Sequence, residues 1–282
     1  MLGDYLISIS QQLERFSETP AMDAGVLLAG LLNKPRAWII AHPEAVIDPA
    51  EQPVLDSAIQ RLKCGEPLPY ILGHWEFFGL DFQLNPATLI PRPETELLVE
   101  QAVAWLEERP ERRHVADVGT GSGCIAVSLA YHIPDLNVVA TDISTQALQA
   151  AQENARANHV SQQVSFLQSY LLEGVQVNFD LICANLPYIP TQTLASLAVH
   201  NREPDLALDG GADGLELINA LLKAAPRHLA QGGRLLMEIE ASQAEAIECL
   251  AGETFPKGDI WVTKDLAGRD RLLVVDNIFS RI

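Results

Sequence analysis

From His114 onward the chain alternates runs that favour strands with runs that favour helices, and no other feature restricts its fold as tightly. Strand patterns fall at 114–118, 137–141, 163–167, 179–184 and 233–239, with a closing pair near 259–264 and 271–275. Helical patterns fill 124–132, 144–158, 214–230 and 241–250. Parallel strands need a crossover between them, and a helix supplies it, so this order predicts a mostly parallel, doubly wound α/β sheet. Sheets of that kind bind ligands beyond the carboxyl ends of their strands. Function is therefore to be sought in the residues just past each strand.

The first strand runs into Asp117-Val-Gly-Thr-Gly-Ser-Gly-Cys. Glycines at 119, 121 and 123 let the backbone turn tightly and approach a ligand with no Cβ in the way. Their spacing is G-x-G-x-G, with Cys at 124, and so departs from the G-x-G-x-x-G dinucleotide fingerprint. The second strand ends at Asp142, where a carboxylate can accept both hydroxyls of a ribose. Asp142 also precedes a helix, though Ser144 is the better cap. Tyr170 follows the third strand, at a place where an aromatic ring can pack against an adenine.

The fourth strand stops abruptly at Asn185-Leu186-Pro187-Tyr188. These residues suit the gripping of a planar –NH2 group that must become a nucleophile. The Asn185 side-chain oxygen can accept one N–H and the Leu186 carbonyl the other. Two acceptors on one nitrogen stabilise the positive charge that develops as it attacks. Pro187 fixes its own φ and holds Leu186 extended, which sets the direction of that carbonyl. Tyr188 offers a flat face for stacking. A surface turn would use similar residues, but a glycine loop, an acid and this tetrapeptide all fall on one edge of one sheet.

Ahead of the sheet, residues 1–66 read as a helical domain. Leu2, Leu6, Ile9, Leu13 and Phe16 recur at helical spacing, and Val26, Leu27, Leu31 and Leu32 form a second apolar face. Over residues 1–85 there are five Lys or Arg against eleven Asp or Glu, so this domain lacks a basic groove and reads as a protein-docking or lid module, or as a plain cap. Residues 67–88, rich in aromatics and β-branched side chains, read as a β-hairpin linker. The third segment, 89–282, opens with a helix that Pro93 can start and whose buried face is Leu97, Leu98, Val103 and Leu106. Arg92 and Glu94 at its start face either a ligand or solvent.

The net charge of −18 disfavours a phosphate backbone as main partner. Four scattered cysteines read as reduced thiols, and seven histidines without ligand spacing predict no metal. The start of the chain lacks the basic and apolar runs of a signal peptide, and no 18-residue apolar span occurs. A cytoplasmic protein without membrane contact is expected.

The constellation resembles S-adenosylmethionine-dependent methyltransferases that alkylate planar nitrogens. Pro69-Tyr-Ile-Leu-Gly, Phe78-Gly-Leu-Asp-Phe, Ile90-Pro-Arg-Pro-Glu-Thr-Glu, Asp117-Val-Gly-Thr-Gly-Ser-Gly, Glu203-Pro-Asp-Leu-Ala-Leu-Asp-Gly-Gly, Asp213-Gly-Leu and Gly268-Arg-Asp-Arg narrow the match. They are similar to the release-factor glutamine methyltransferases, the HemK/PrmC family. That resemblance implies a Rossmann-like class I methyltransferase sheet with a small helical N-terminal domain joined by a hairpin. It implies methyl transfer from S-adenosyl-L-methionine, leaving S-adenosyl-L-homocysteine, to the side-chain amide of the glutamine in the Gly-Gly-Gln loop of a class 1 peptide chain release factor. Gly119, Thr120, Gly121, Ser122, Gly123, Asp142, Tyr170 and Asn185 would then hold the cofactor, and Asn185, Leu186, Pro187 and Tyr188 would bind the glutamine and carry the catalysis. Tyr170 stands where the family often has Trp, and Leu186 where it commonly has Pro. A monomer that binds no nucleic acid is expected. An adenine or cytosine amino methyltransferase would use the same grip, but its polyanionic substrate fits the charge poorly. A nicotinamide-dependent oxidoreductase or a binding module would leave Asn185-Leu-Pro-Tyr idle.

Overall fold

The computed structural model describes residues 1–15, 17 and 19–277, so Phe16 and the last five residues of the expected 89–282 segment lie outside the described residues. The chain divides into two compact units, Met1–Trp75 and Glu76–Ile282.

The first unit holds α1 (Leu2–Leu13), α2 (Pro20–Leu31), α3 (Arg36–Ala41), α4 (Gln52–Lys63) and α5 (Leu68–Leu72). Prolines sit in the first turn of α2, α4 and α5, where a missing N–H costs no helical bond. Leu2, Ile9 and Leu13 of α1 join Leu27, Leu28, Ile39, Leu55 and Ile59 in one apolar cluster. On α2 the buried stripe is Ala24, Leu27 and Leu28, while Val26, Leu31 and Leu32, expected on that face, only flank it. The expected hairpin over 67–88 is shorter than its aromatic and β-branched composition suggested. Leu68–Leu72 is a helical turn, started by Pro69 and closed by Gly73 at φ +78°. The hairpin itself is β1 (His74–Phe77) and β2 (Leu80–Gln83), joined by Phe78 and Gly79, both at positive φ (51° and 76°) as a two-residue turn of the I′ kind needs.

The second unit is built on a seven-stranded sheet of β3 (His114–Val118), β4 (Asn137–Asp142), β5 (Val164–Gln168), β6 (Phe179–Ala184), β7 (Leu229–Glu238), β8 (Asp259–Lys264) and β9 (Asp270–Asp276). Their order is β5-β4-β3-β6-β7-β9-β8. The first five run parallel, and β9 is antiparallel to both β7 and β8. The crossovers and flanks are α6 (Glu96–Glu107), α7 (Cys124–His132), α8 (Thr145–Ala157), α9 (Thr191–Leu194), α10 (Glu216–Ala224) and α11 (Ala244–Thr254). This is the doubly wound α/β sheet the alternation predicts. One helix is markedly shorter than its pattern: the run expected over 214–230 begins after Gly214, at φ +77°, and loses its α-helical form before Pro226, leaving β7 to start at Leu229.

Strand order reverses between β3 and β6, and the register brings the ends of three strands level. Val118 pairs with Thr141 on one side and with Ala184 on the other. Gly119, Asp142 and Asn185 therefore each stand one residue past the same rung. Every residue of β6 is buried, including Asp180. Its carboxylate is matched by Arg112 Nη1 at 2.9 Å and by the backbone N–H groups of Arg113 and His114 at 3.0 and 3.1 Å, which anchor β6 against the start of β3.

Candidate active site

Beyond these strand ends lies a cleft of about 330 Å³, within the range of small-molecule sites. Its walls include Gly119 to Ser122, Asp142 to Ser144, Ser169 to Leu171 and Asn185 to Pro187. The glycine loop is braced from two sides. Buried Asp117 accepts from the Thr120 hydroxyl at 2.6 Å and from Ala126 N at 3.1 Å through the same oxygen. Asp142 Oδ2 accepts from Gly121 N at 2.9 Å, and its Oδ1 from Ser144 N at 2.9 Å. Each of these oxygens keeps a further lone pair for hydroxyls arriving from the cleft. Ser144 is the cap of α8, its Oγ accepting from Ala147 N. Gly121 stands at φ +56°, and a Cβ there would meet no protein atom within 4 Å, so it presents bare backbone to open space. Gly123 does not line the cleft; a Cβ on it would come within 2.9 Å of Ala151 Cβ, so its task is close packing of the loop on α8. Tyr170 borders the cleft and is 43% exposed.

Asn185 is shared with a second, mainly apolar cavity of about 390 Å³, bordered by Leu186 to Ile189, Leu197 to Val199 and Arg92. Tyr188 belongs to this second cavity rather than the first. The Leu186 side chain is buried and fills the space over Gly119, where a Cβ would come within 2.9 Å of Leu186 Cδ2. The segment after it is splinted by residues 208–214. Ile189 N donates to Leu208 O at 3.1 Å, Gly210 N donates to Ile189 O at 2.8 Å, and Gln243 Nε2 donates to Tyr188 O at 2.9 Å. A Cβ on Gly214 would stand 2.3 Å from Tyr188 O, which is why that loop must be glycine there. Arg92, which borders both cavities, is held by buried Glu203 at 2.5 Å, and Glu203 also accepts from Ile90 N at 3.1 Å. Glu94, by contrast, is exposed and borders neither cavity.

Two family models match: the PrmC N-terminal domain over residues 4–73 and the Methyltransferase small domain over residues 93–202. Among curated relatives, the release factor glutamine methyltransferase of Moorella thermoacetica is 43% identical, with 90% of each chain covered. That of Koribacter versatilis is 42% identical, with 91% of each chain covered. The chain belongs to the release factor glutamine methyltransferase family. Solved structures agree at the level of the fold. Ribosomal protein L11 methylase from Lactobacillus delbrueckii subsp. bulgaricus aligns with a TM-score of 0.50 and 25% identity over 67% of this chain and 81% of that one. A 16S rRNA N2 G1207 methyltransferase from T. thermophilus aligns with a TM-score of 0.52 and 19% identity over 72% of this chain and 49% of that one.

Within this member of the release factor glutamine methyltransferases, sequence reasoning gives no site role to two residues, Thr95 inside the motif at 90–96 and Glu238 at the end of β7. Asn185 Nδ2 donates to Thr95 Oγ1 at 3.0 Å, and Thr95 Oγ1 donates to Glu238 Oε2 at 2.6 Å. Burial pushes the Glu238 carboxyl up to about 7, with Thr95 and Arg271 opposing that rise. Burial likewise pushes Tyr188 up to about 12, so it stays a neutral phenol. The thiols beside the site are no nucleophiles: burial raises Cys124 to about 12 and Cys183 well above its ordinary value. Among the described residues no group of three or more His, Cys, Asp or Glu is placed to hold a metal, and no helix is long and apolar enough to cross a membrane.

Proposed function

We propose that this enzyme transfers a methyl group from S-adenosyl-L-methionine to the side-chain amide nitrogen (N5) of the glutamine in the Gly-Gly-Gln loop of class 1 peptide chain release factors, and thereby modulates translation termination. The observation that carries this is the position of Asn185 at the junction of two cavities. One has a glycine loop and a carboxylate suited to an adenosyl group, and the other is mainly apolar and suited to the methylenes of a glutamine. The bare backbone at Gly121 and the remaining lone pairs of Asp142 support the first assignment. Tyr170 borders the adenine end, and Asn185 to Tyr188 receive the amide.

S-adenosylmethionine brings a methyl group already activated on a sulfonium. The chain's own work is to make a poor nucleophile competent. An amide nitrogen shares its lone pair with its carbonyl, so acceptors at Asn185 Oδ1 and the Leu186 carbonyl hold both N–H groups and stabilise the charge that appears on attack. The walls of the second cavity hold the side chain in line, which replaces a random encounter with a fixed one. No base is required before transfer, because the proton becomes acidic only afterwards.

The enzyme acts as a cytoplasmic monomer on a protein loop, without nucleic acid. The charge of −18 supports this reading against the nucleobase alternative. Mass spectrometry after incubation with cofactor tests it on release factor, its Gln→Ala loop variant and duplex DNA. Methyl on the loop glutamine alone is expected. Equal labelling of the two proteins, or preferential labelling of DNA, overturns the assignment.

A further inference from the structure

The two arms of the Asn185 amide have nearly the same shape, and only one orientation serves the reaction. With its oxygen toward the substrate it accepts an N–H; turned over, it aims a donor at a donor. The group that tells the arms apart is Thr95, the N-cap residue of α6. Its hydroxyl gives its single proton to Glu238 Oε2 at 2.6 Å and so can offer Asn185 only a lone pair, which the amide nitrogen meets at 3.0 Å. Among the described residues no donor sits on Asn185 Oδ1. Thr95 and Glu238 are each 2% exposed, and Glu238 lies at the last position of β7. A carboxylate in that setting costs desolvation that an apolar side chain would avoid.

We propose that Thr95 and Glu238 are positioning residues for methyl transfer, a relay that holds the Asn185 amide with its oxygen toward the substrate. This rests on the reading of Asn185 as acceptor for the glutamine amide, and it adds what makes that acceptor one-sided. Glu238 borders neither cavity, and Thr95, which borders the first, acts through the Asn185 amide. The relay ties turnover to the charge on Glu238. Ionised, the carboxylate takes the Thr95 proton. Protonated, it can donate to Thr95 instead, whose own proton is then released to turn toward Asn185 and favour the wrong arm. The groups around Glu238 are the Thr95 hydroxyl and Arg271, which favour its charge, Glu94, which opposes it, and the Tyr188 hydroxyl, which favours it. The Cys124 thiol at the start of α7 also feels that charge and stays protonated. Burial outweighs the favourable partners and leaves the carboxyl at about 7, so turnover rises with pH through that region and levels off above it.

The full-length enzyme, S-adenosylmethionine and release factor supply the test. Thr95→Val removes the hydroxyl at nearly constant volume and should lower kcat about 10²-fold, the scale of a misplaced reacting group. Cofactor affinity by calorimetry and the KM for release factor should stay close to wild type, and Thr95→Ser should recover most of the rate. Glu238→Gln should flatten the rise with pH. Turnover undiminished in Thr95→Val, or an unchanged pH rise in Glu238→Gln, overturns the relay. Should Thr95→Val not fold, the other two variants decide: the rise must persist in Thr95→Ser and vanish in Glu238→Gln, and the same rise in both rejects the proposal. One readout needs no substrate. The side-chain amide protons of Asn185, identified by their loss in Asn185→Ala, should exchange slowly in wild type and fast in Glu238→Gln; equal exchange counts against the relay. A wild-type enzyme that leaves the loop glutamine unlabelled refutes the substrate while this last measurement still judges the relay.

Discussion

A carboxylate offers about four lone-pair positions, and Asp142 commits two of them to its own backbone neighbours, Gly121 and Ser144. On the proposed reading the ribose shares what is left, so Asp142 would both shape the loop and bind the ligand. Asp142→Ala should therefore weaken S-adenosylmethionine by about 1.5 kcal/mol or more in calorimetry, the scale of a charge-assisted bond. Asn185→Ala should show the opposite profile, with turnover lower by about 10²-fold, a folded protein and a smaller change in cofactor affinity. Unchanged cofactor affinity in the first variant would mean that the ribose is held elsewhere, and near-normal single-turnover methylation in the second would reduce the tetrapeptide to a turn. Both residues are legible in the sequence because each stands at the end of a strand. The link between Thr95 and Glu238 is not, because they lie 143 positions apart and look respectively like a helix start and a strand-end acid until the fold brings them together. Leu186 is half legible: its carbonyl is implied by the motif, but its packing over Gly119 requires the structure.

The junction of β3 and α7 carries its own pH dependence. Asp117 is fully buried, one of its oxygens holds Thr120 and Ala126, and the other has no partner. Burial raises it from an ordinary 3.8 to about 7, with Asp142 adding to the rise. Between those two values the folded protein binds a proton that the unfolded chain has released, so this group's contribution to stability falls as pH rises through the window. Asp117→Asn keeps an oxygen for both donors and cannot ionise. Its melting temperature should fall less between pH 5 and pH 8 than that of wild type, leaving the part that Glu238 contributes; parallel falls would show that Asp117 is not the source. The same elements mark where a sequence can be read. Strands β3 to β6 are apolar runs closed by turn residues, and their positions agree closely with the pattern. The errors fall where local signals compete. Pro69 and Gly73 act as helix start and stop around a β-rich composition, and Pro226 cuts short a helical pattern that continues past it. Asp180 inside β6 is unreadable alone, because its partner Arg112 lies 68 positions away.

An isolated primary amide offers few atoms to recognise, so specificity for one glutamine must draw on binding energy away from the reacting centre. The helical unit suits that task, for it has its own apolar cluster and, over Met1–Trp75, five basic against nine acidic side chains. If it docks the substrate, its partner surface is a protein, and the interaction should depend less on salt than a phosphate backbone would demand. The place to separate it is decided by packing. A cut after residue 66 would strip Leu68 and Ile71 from the cluster they help to form, whereas a cut after Gly73 falls between α5 and β1. Removing residues 1–73 should leave S-adenosylmethionine binding to the second unit nearly intact, because every residue lining the cofactor cleft lies between Pro86 and Leu217. Methylation of intact release factor should fall far more, while a short peptide carrying Gly-Gly-Gln, which lacks the remote surface, should be affected much less. Calorimetry and methyl counting on the two substrates make the comparison. Equal losses on peptide and intact factor would mean that the helical unit does not dock the substrate and serves only as a cap.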